Sequence, residues 1–300
     1  MRGFFYKLRK AYHEKAKKIM NRIFLYSIAV LFLWILLAQC FIQKERWGDD
    51  KAYRVFNAEH IPLEMHDTVI NKRHLHYAVS GSDSLPTIVF IHGSPGSWMH
   101  YGKYLRDERM RKKFRVLAID RPGFGFSDFG DAMHLQDQCE IILPVLQKLK
   151  NTYPIFLVGH SMGGPVVVKL ASMDPSLFKT VVIVAGALDP SRETPETWRK
   201  IMNVRPLYWL LPGAFGPSNT ELLYLKKDLI PLENDFKKIT CNILFVHGDK
   251  DTWVPIENIG YGKKLMINAA SIMADTLHGA DHQIPWKNRE ELTQILLGLK

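Results

Sequence analysis

The 300-residue sequence has few cysteines and no N-glycosylation sequon. Its three cysteines, Cys40, Cys139 and Cys241, do not make a disulfide framework, and we interpret Cys139 and Cys241 as small buried residues. No Asn-x-Ser/Thr triplet occurs, which favours a bacterial membrane over a eukaryotic secretory route. The composition therefore excludes a domain whose fold is stabilised by several disulfide bonds.

Residues 1–22 have eight basic side chains and a single acidic one, Glu14. The chain has a formal net charge of +10, and this segment accounts for most of it. Because the remainder is nearly balanced, we do not expect a basic surface for nucleic acid. The length and the 47% hydrophobic content suit one large α/β domain with an extension.

Charged residues are absent from residues 23–42. As a helix, this stretch would be about 30 Å long, the thickness of a bilayer's hydrocarbon core. Residues 43–51, which follow, carry three basic and three acidic side chains. The positive-inside rule then predicts a cytoplasmic segment over residues 1–22 and an exported remainder. We expect a single uncleaved transmembrane helix, with the rest of the chain on the periplasmic face of a bacterial inner membrane.

Two other interpretations of the apolar stretch remain open, a cleaved signal peptide and a buried core helix. The stretch is longer than a usual signal-peptide core, and no good A-x-A site follows it. Residues 37–40 (LAQC) resemble a lipoprotein cleavage box, but Gln39 fits poorly directly before the cysteine.

Beyond the apolar stretch, the sequence predicts a linker over residues 43–66, with at most a short edge strand, and one domain over residues 67–300. Short apolar runs alternate there with helical spacing, the pattern of a mostly parallel sheet with helices on both faces. Residues 188–238, rich in aromatic residues and leucine, break the alternation. We expect this insert to form a helical cap over the carboxyl edge of the sheet, partly lining a pocket. Strands are predicted for residues 67–70, 74–79, 87–91, 114–119, 155–158, 180–185, 241–247 and 271–277, and helices for residues 133–151, 165–173 and 288–299.

No metal or cofactor is predicted. The glycines of residues 123–125 lack G-x-G-x-x-G spacing, and residues 159–164 lack the lysine of a P-loop. His74 and His76 alternate on one predicted strand and could bind a metal. Because no third ligand is near in sequence, we interpret them as an ordinary strand surface.

The most informative stretch is residues 155–173. An apolar run predicts a buried strand, which leads into GHSMG at residues 159–163, a match to G-x-S-x-G. In that pattern Ser161 sits on a sharp strand-to-helix turn, small neighbours let the adjacent chain pass, and the helix N-terminus favours negative charge. Because a five-residue pattern can occur by chance, it indicates a catalytic serine only if an acid and a base follow elsewhere in the chain.

Candidate partners follow in chain order after two later predicted strands. Asp251 or Asp249 can serve as the acid, and His282 or His278 can serve as the base. Ser, then Asp, then His is the order found in α/β-hydrolases.

From about residue 67 to residue 300 the sequence resembles serine hydrolases of the α/β-hydrolase superfamily. The resemblance selects Asp251, three residues before Val-Pro, and His282, which follows a glycine on the last loop. It implies a mostly parallel sheet with flanking helices and a cap. The matching marks are H-G-x-P-G at residues 92–96, D-R-P-G-x-G-x-S at 120–127, G-x-S-x-G at 159–163, G-x-x-D-x-x-V-P at 248–255 and G-x-x-H at 279–282.

The resemblance also implies a covalent mechanism without metal or cofactor. Ser161 would attack a carbonyl, His282 would carry its proton, and Asp251 would orient the imidazole. The backbone N–H groups of Ser94 and Met162 would bind the oxyanion.

Residues 92–98 are also similar to the same loop of epoxide hydrolases and haloalkane dehalogenases, but those enzymes need an aspartate nucleophile where this chain has Ser161. Serine-dependent relatives remain: esterases, monoacylglycerol-type lipases, carbon–carbon bond hydrolases and cofactor-free haloperoxidases. Proline iminopeptidases share the layout but usually have glycine in place of Ser94. The preferred hypothesis is a membrane-anchored hydrolase of small, lipid-like carboxylic esters. A non-catalytic binding domain of the same fold is the alternative from another class.

Overall fold

A computed structural model describes residues 2–45, 48–149, 151–194 and 196–300. Its α-helices are α1 (Arg2–Glu45), α2 (Asp49–Ala58), α3 (Gly102–Arg106), α4 (Glu108–Lys113), α5 (Leu135–Lys148), α6 (Gly163–Met173), α7 (Thr197–Met202), α8 (Phe215–Leu232), α9 (Asn258–Leu265), α10 (Ile284–Lys287) and α11 (Arg289–Leu297). Its strands are β1 (Glu64–Ile70), β2 (Arg73–Ser80), β3 (Thr87–Ile91), β4 (Arg115–Ile119), β5 (Ile155–His160), β6 (Phe178–Val184), β7 (Asn242–Gly248) and β8 (Ser271–Leu277). Short 3-10 turns lie at Trp98–Tyr101, Pro190–Arg192, Leu207–Leu210 and Phe236–Lys238.

The eight strands of the described part form one sheet in the order β1-β2-β4-β3-β5-β6-β7-β8. β2 is antiparallel to both β1 and β4, and the other neighbours are parallel. The chain runs from β3 outward to β4 and then returns to β5 on the opposite side of β3. At such a reversal the loops at the carboxyl ends of the strands diverge and leave a crevice. The loops after β3 and β5 therefore border the expected position of a binding site.

The sheet is covered on both faces, as the uninterrupted apolar strands predict. Along β3, Val89 and Ile91 enter the core beneath α5, α6 and α8, whereas Ile88 and Phe90 enter the core beneath α2, α3, α4 and α11. The alternation follows from the two-residue period of a strand. The predicted fold class is confirmed.

The region between residues 43 and 66 differs from the predicted linker. It contains α2, and β1 already begins at Glu64. Ala52 and Phe56, four residues apart, are both fully buried, and the Phe56 ring lies 6.5 Å from that of Trp98. Residues four apart share one face of a helix, so this pair supplied a helical signal that the linker interpretation missed.

The β1–β2 hairpin turns as predicted at Asn71 and Lys72, whose φ angles are +52° and +65°. Positive φ at both positions is the signature of the type I′ turn that suits twisted strands. The interpretation of both histidines as strand surface is wrong for His76. That side chain is buried and its Nδ1 lies 2.9 Å from Asp120 Oδ2, whereas His74 is exposed. β2 is an inner strand beside β4, which is why its inward side chains are covered.

The insert forms α7, α8 and three of the 3-10 turns, as the helical interpretation predicts. Leu225, Leu229 and Leu232 of α8 are buried, whereas Trp198 and Trp209 remain 45% and 49% exposed. Only some of the insert's apolar side chains are therefore buried, and these three leucines pack into the same core as α5 and α6.

The N-terminal helix α1 is one continuous helix that leaves the globular part. Within the described residues, Tyr12–Leu37 are long and apolar enough to cross a membrane and are not buried by the rest of the chain. Trp34 Nε1 donates to the Leu210 carbonyl of the cap at 3.0 Å. The Cys40 side chain lies outside the described part, while Cys139 and Cys241 are buried as expected.

Candidate active site

Ser161 occupies the turn between β5 and α6. Its φ is +54°, in the left-handed region that costs energy for a residue with a Cβ. The turn is held from below, because Ser161 N–H donates to the Val184 carbonyl of β6 at 2.9 Å and its own carbonyl accepts from Gly164 N–H at 2.8 Å. A strained turn held in this way presents the side chain above the sheet, which is the geometry of a nucleophile elbow.

The two glycines of the elbow are required by close backbone approach. A Cβ added to Gly159 would overlap the Gly163 carbonyl, and one added to Gly163 would overlap the carbonyl oxygen of Ile91. The start of α6 therefore lies directly against β5 and β3. The spacing predicted from G-x-S-x-G has a direct steric cause.

The carboxylates after β7 pair with different histidines. His282 Nδ1 lies 2.7 Å from Asp251 Oδ2, whereas His278 Nδ1 lies 3.2 Å from Asp249 Oδ2. Asp249 also accepts from Gly279 N–H at 2.7 Å, so it fixes the exposed turn after β8. The geometry thus joins the two residues that the resemblance selected and keeps the two alternatives apart.

Asp251 is held as an ionised carboxylate. Burial by itself would raise its pKa, but hydrogen bonds from His247, His282 and the Val254 N–H outweigh burial, and the pKa lies well below its ordinary value. Oδ1 accepts from the N–H groups of Trp253 and Val254, both at 2.9 Å. The carboxylate therefore keeps a fixed orientation toward the imidazole of His282.

His160 is a neighbour of the site that the sequence analysis did not single out. Its Nε2 donates to the backbone carbonyl of His282 at 2.9 Å, which ties the last loop to the elbow. Burial, reinforced by the nearby His282, lowers the pKa of His160 to about 3, so the ring stays neutral. His160 stands in the variable position of G-x-S-x-G, and the motif alone gives no signal for this contact.

The two expected oxyanion donors belong to chain segments next to Ser161. A Cβ added to Gly93 would lie 3.0 Å from the Ser161 Cβ, so the loop after β3 passes directly beside the nucleophile. Ser94 follows on this loop, and Met162 is the N-cap of α6. Backbone N–H groups at a helix start have no partner within the helix and can bind an anion.

Among the described residues, no group of three or more His, Cys, Asp or Glu side chains is placed so that it could hold a metal ion. Near the catalytic candidates, each acidic side chain is engaged by histidine or backbone N–H donors. The arrangement instead offers a hydroxyl nucleophile, an imidazole and a buried carboxylate.

Known proteins with the same organisation were found by sequence and by structure. The profile of a family described as "alpha/beta hydrolase fold" matches residues 86–229. A protein of Haemophilus influenzae, named provisionally as an esterase/lipase, is 27% identical over 82% of this chain and 93% of its own length. Human monoglyceride lipase is 29% identical over 49% of this chain and 50% of its own length.

Among solved structures, one titled as a membrane phospholipase A, a bacterial virulence factor, superposes with a TM-score of 0.60 and 18% identity. The match covers 94% of this chain and 97% of that one. At this identity the likeness speaks for the fold alone. Together with the family match and the sheet order, it shows that the chain has the α/β-hydrolase fold. The named sequence relatives support hydrolase activity.

Proposed function

We propose that the protein is a serine hydrolase that cleaves carboxylic esters through an acyl-enzyme. The observation that carries the proposal is the Asp251–His282 pair at 2.7 Å, with His282 tied by its carbonyl to His160, directly before the strained Ser161. A nucleophile, a base and a residue that orients the base are the three parts that this chemistry needs.

The chemistry proceeds in two halves. Ser161 Oγ attacks the ester carbonyl carbon while His282 Nε2, the ring nitrogen not bound to Asp251, accepts the hydroxyl proton. The tetrahedral oxyanion accepts hydrogen bonds from the Ser94 and Met162 N–H groups. His282 then donates the proton to the departing alcohol. Water, activated by the same imidazole, hydrolyses the acyl-enzyme and restores Ser161.

Asp251 remains ionised throughout. Its lowered pKa means that it stabilises the imidazolium of His282 without taking the proton. The buried carboxylate thereby favours the proton transfer on which the attack depends. No step requires a metal or a cofactor.

Lipid-like esters are the substrate class that we infer. The sequence relatives named above include a monoglyceride lipase and a protein named provisionally as an esterase/lipase. The cap presents the large apolar side chains of Trp198, Ile201 and Trp209 at its surface, and α1 joins the cap at Leu210. These features suit an amphiphilic substrate taken from a bilayer.

We further infer that residues 23–42 anchor the protein in a membrane, with residues 1–22 in the cytoplasm and the hydrolase domain exported. The basic excess before the apolar stretch and the balanced charge after it support this orientation.

A fluorophosphonate probe tests the nucleophile. The wild-type chain should be labelled and should hydrolyse p-nitrophenyl esters of graded acyl length, whereas Ser161→Ala should not be labelled. Turnover of Ser161→Ala and His282→Ala should fall by about 10⁴–10⁶-fold, because the residues of a triad act as a unit. Equal labelling of Ser161→Ala, with its circular dichroism unchanged, would refute the proposal. An unlabelled, inactive wild type would favour a binding domain.

A further inference from the structure

A buried ion pair links the cap to the hydrolase domain and takes no part in the steps above. Arg121, which closely follows β4, and Glu221 of α8 have side chains that are 0% and 1% exposed. The guanidinium binds both carboxylate oxygens, with Nη2 at 2.9 Å from Oε2 and Nη1 bonded to Oε1. Gln138 of α5 closes the cluster, since it accepts from Nη1 and donates to Glu221 Oε1, each at 2.8 Å. The pair forms only when α8 is seated on the domain.

The guanidinium of Arg121 also donates hydrogen bonds to the loop after β3. Nε donates to the His92 carbonyl at 2.8 Å, and Nη2 donates to the Gly93 carbonyl at 2.9 Å. His92 Nε2 accepts from the Arg121 backbone N–H at 3.0 Å, so the neutral ring carries its proton on Nδ1 and donates it to the Gly93 carbonyl at 2.7 Å. All five N–H donors of the guanidinium are thus used.

These contacts fix the direction of a proposed oxyanion donor. The carbonyl of Gly93 and the N–H of Ser94 belong to one planar trans peptide group and point in opposite directions. Because Arg121 and His92 hold the carbonyl, they also set where the Ser94 N–H points. The cap also contacts Ser94 directly, since Ser94 Oγ donates to Ser218 Oγ, one turn before Glu221 on α8, at 2.9 Å.

We propose that Glu221 is a positioning residue for the oxyanion hole. It holds Arg121 against the Gly93 carbonyl and so aims the Ser94 N–H at the reacting oxygen, which makes the cap helix α8 part of the catalytic assembly. The inference rests on the proposed function, because it requires an oxyanion at Ser161.

Glu221→Gln in the full-length chain tests the role. The substitution keeps the size of the side chain but removes the charge that orients Arg121. We expect kcat for a p-nitrophenyl ester to fall about 10- to 100-fold with KM unchanged within about threefold, since an oxyanion donor acts only in the transition state. The affinity for phenylboronic acid, which forms a tetrahedral adduct on serine, should weaken in parallel with kcat. A merely structural role would not move that affinity.

The double variant Arg121→Met/Glu221→Leu is the control for the case in which Glu221→Gln does not fold. Replacing both partners leaves no buried charge, so the double variant should fold even where the single variant does not. It lacks the hydrogen bond from Arg121 to the Gly93 carbonyl, and its kcat should therefore fall at least as far as that of Glu221→Gln.

Asp235→Asn is the matched control. Asp235 also lies in the insert and pairs with Lys169 of α6 at 2.5 Å, with its side chain 9% exposed, but contacts neither His92 nor Gly93 in the described structure. It should lower the melting temperature while kcat stays within about twofold.

The outcomes separate the two proposals. A wild type that is neither labelled by fluorophosphonate nor active on esters overturns the proposed function and this inference with it. If the wild type is active, two results would overturn the inference and leave the proposed function intact. One is a double variant with the kcat of the wild type, and the other is a Glu221→Gln variant whose KM rises while its kcat does not fall.

Discussion

Ser161, Asp251 and His282 come from three separate loops, yet each has a distinct local support. Ser161 is held by its backbone bonds to β6 and α6, Asp251 by the N–H groups of its own loop, and His282 by Asp251 and His160. At the scale of single residues, the candidate site therefore depends on few contacts, and those made by the Asp251 and His160 side chains can be tested by near-isosteric substitutions.

The choice of acid is tested by Asp251→Asn beside Asp249→Asn. Asp251→Asn should lower kcat by about 10³–10⁴-fold, because an amide at this position favours the wrong imidazole tautomer. Asp249→Asn removes only the contacts to His278 and Gly279 and should change kcat less than about threefold. Steady-state kinetics with one p-nitrophenyl ester measures both. The reverse ranking would identify Asp249 as the acid.

The buried neutral His160 predicts a loss of stability in acid. Its folded-state pKa of about 3 lies below the ordinary value near 6.5. Above about pH 6.5 neither the folded nor the unfolded state binds the proton, so the stability is fully present. Below that pH the unfolded state is protonated first, and the free energy of unfolding falls by about 1.4 kcal/mol per pH unit until about pH 3.

The measurement compares urea unfolding of the wild type and His160→Gln at pH 7.5 and pH 5. Glutamine can keep the donor to the His282 carbonyl but has no titrating group. We expect the wild type to lose about 2 kcal/mol more than the variant between the two pH values. Equal losses would mean that His160 does not titrate in this way.

At the scale of elements, the elbow depends on how closely α6 approaches β3. Gly163→Ala would press a methyl group against the Ile91 carbonyl and should cost about 1–3 kcal/mol of folding free energy and also activity, because Ser161 moves with the start of α6. Gly260→Ala is the control, since a Cβ there meets nothing within 4 Å inside α9. It should be neutral or stabilising by up to about 1 kcal/mol. Similar effects of both substitutions on the melting temperature and kcat would contradict this packing argument.

At the scale of the whole molecule, α1 and the globular part are nearly independent. The candidate span Tyr12–Leu37 is not buried by the rest of the chain, and its Trp34 reaches the cap at Leu210. A chain that begins at Gly48 keeps α2 and the whole sheet. We therefore expect the truncated protein to fold and to hydrolyse a short-chain ester at the full-length rate.

Fractionation tests the anchor. The full-length chain should remain in the membrane fraction after an alkaline carbonate wash, whereas the chain that begins at Gly48 should be recovered in the soluble fraction. Full-length protein in the soluble fraction would contradict the anchor, and an N-terminus found by sequencing shortly after residue 42 would instead indicate a cleaved signal peptide. A C-terminal reporter active only in the cytoplasm would overturn the exported orientation.

The sheet, the elbow and the order of the candidate catalytic residues could be predicted from the amino-acid sequence. Those features depend on local rules: apolar runs that must be buried, a turn that requires glycine two residues before and two residues after Ser161, and short motifs at strand ends. The helix α2 could also have been predicted from the sequence, because Ala52 and Phe56 are spaced four residues apart.

Several contacts between distant residues become visible only in the folded chain. The tether from His160, the burial of His76 against Asp120, and the Arg121–Glu221 pair all join positions at least 44 residues apart in the chain. No local pattern encodes such contacts, because a lone glutamate in an apolar cap or a histidine inside a motif has the same sequence signature whether it is exposed or buried. Only the packing of α8 and the loops on the sheet removes these polar groups from water and forces each to find its partner.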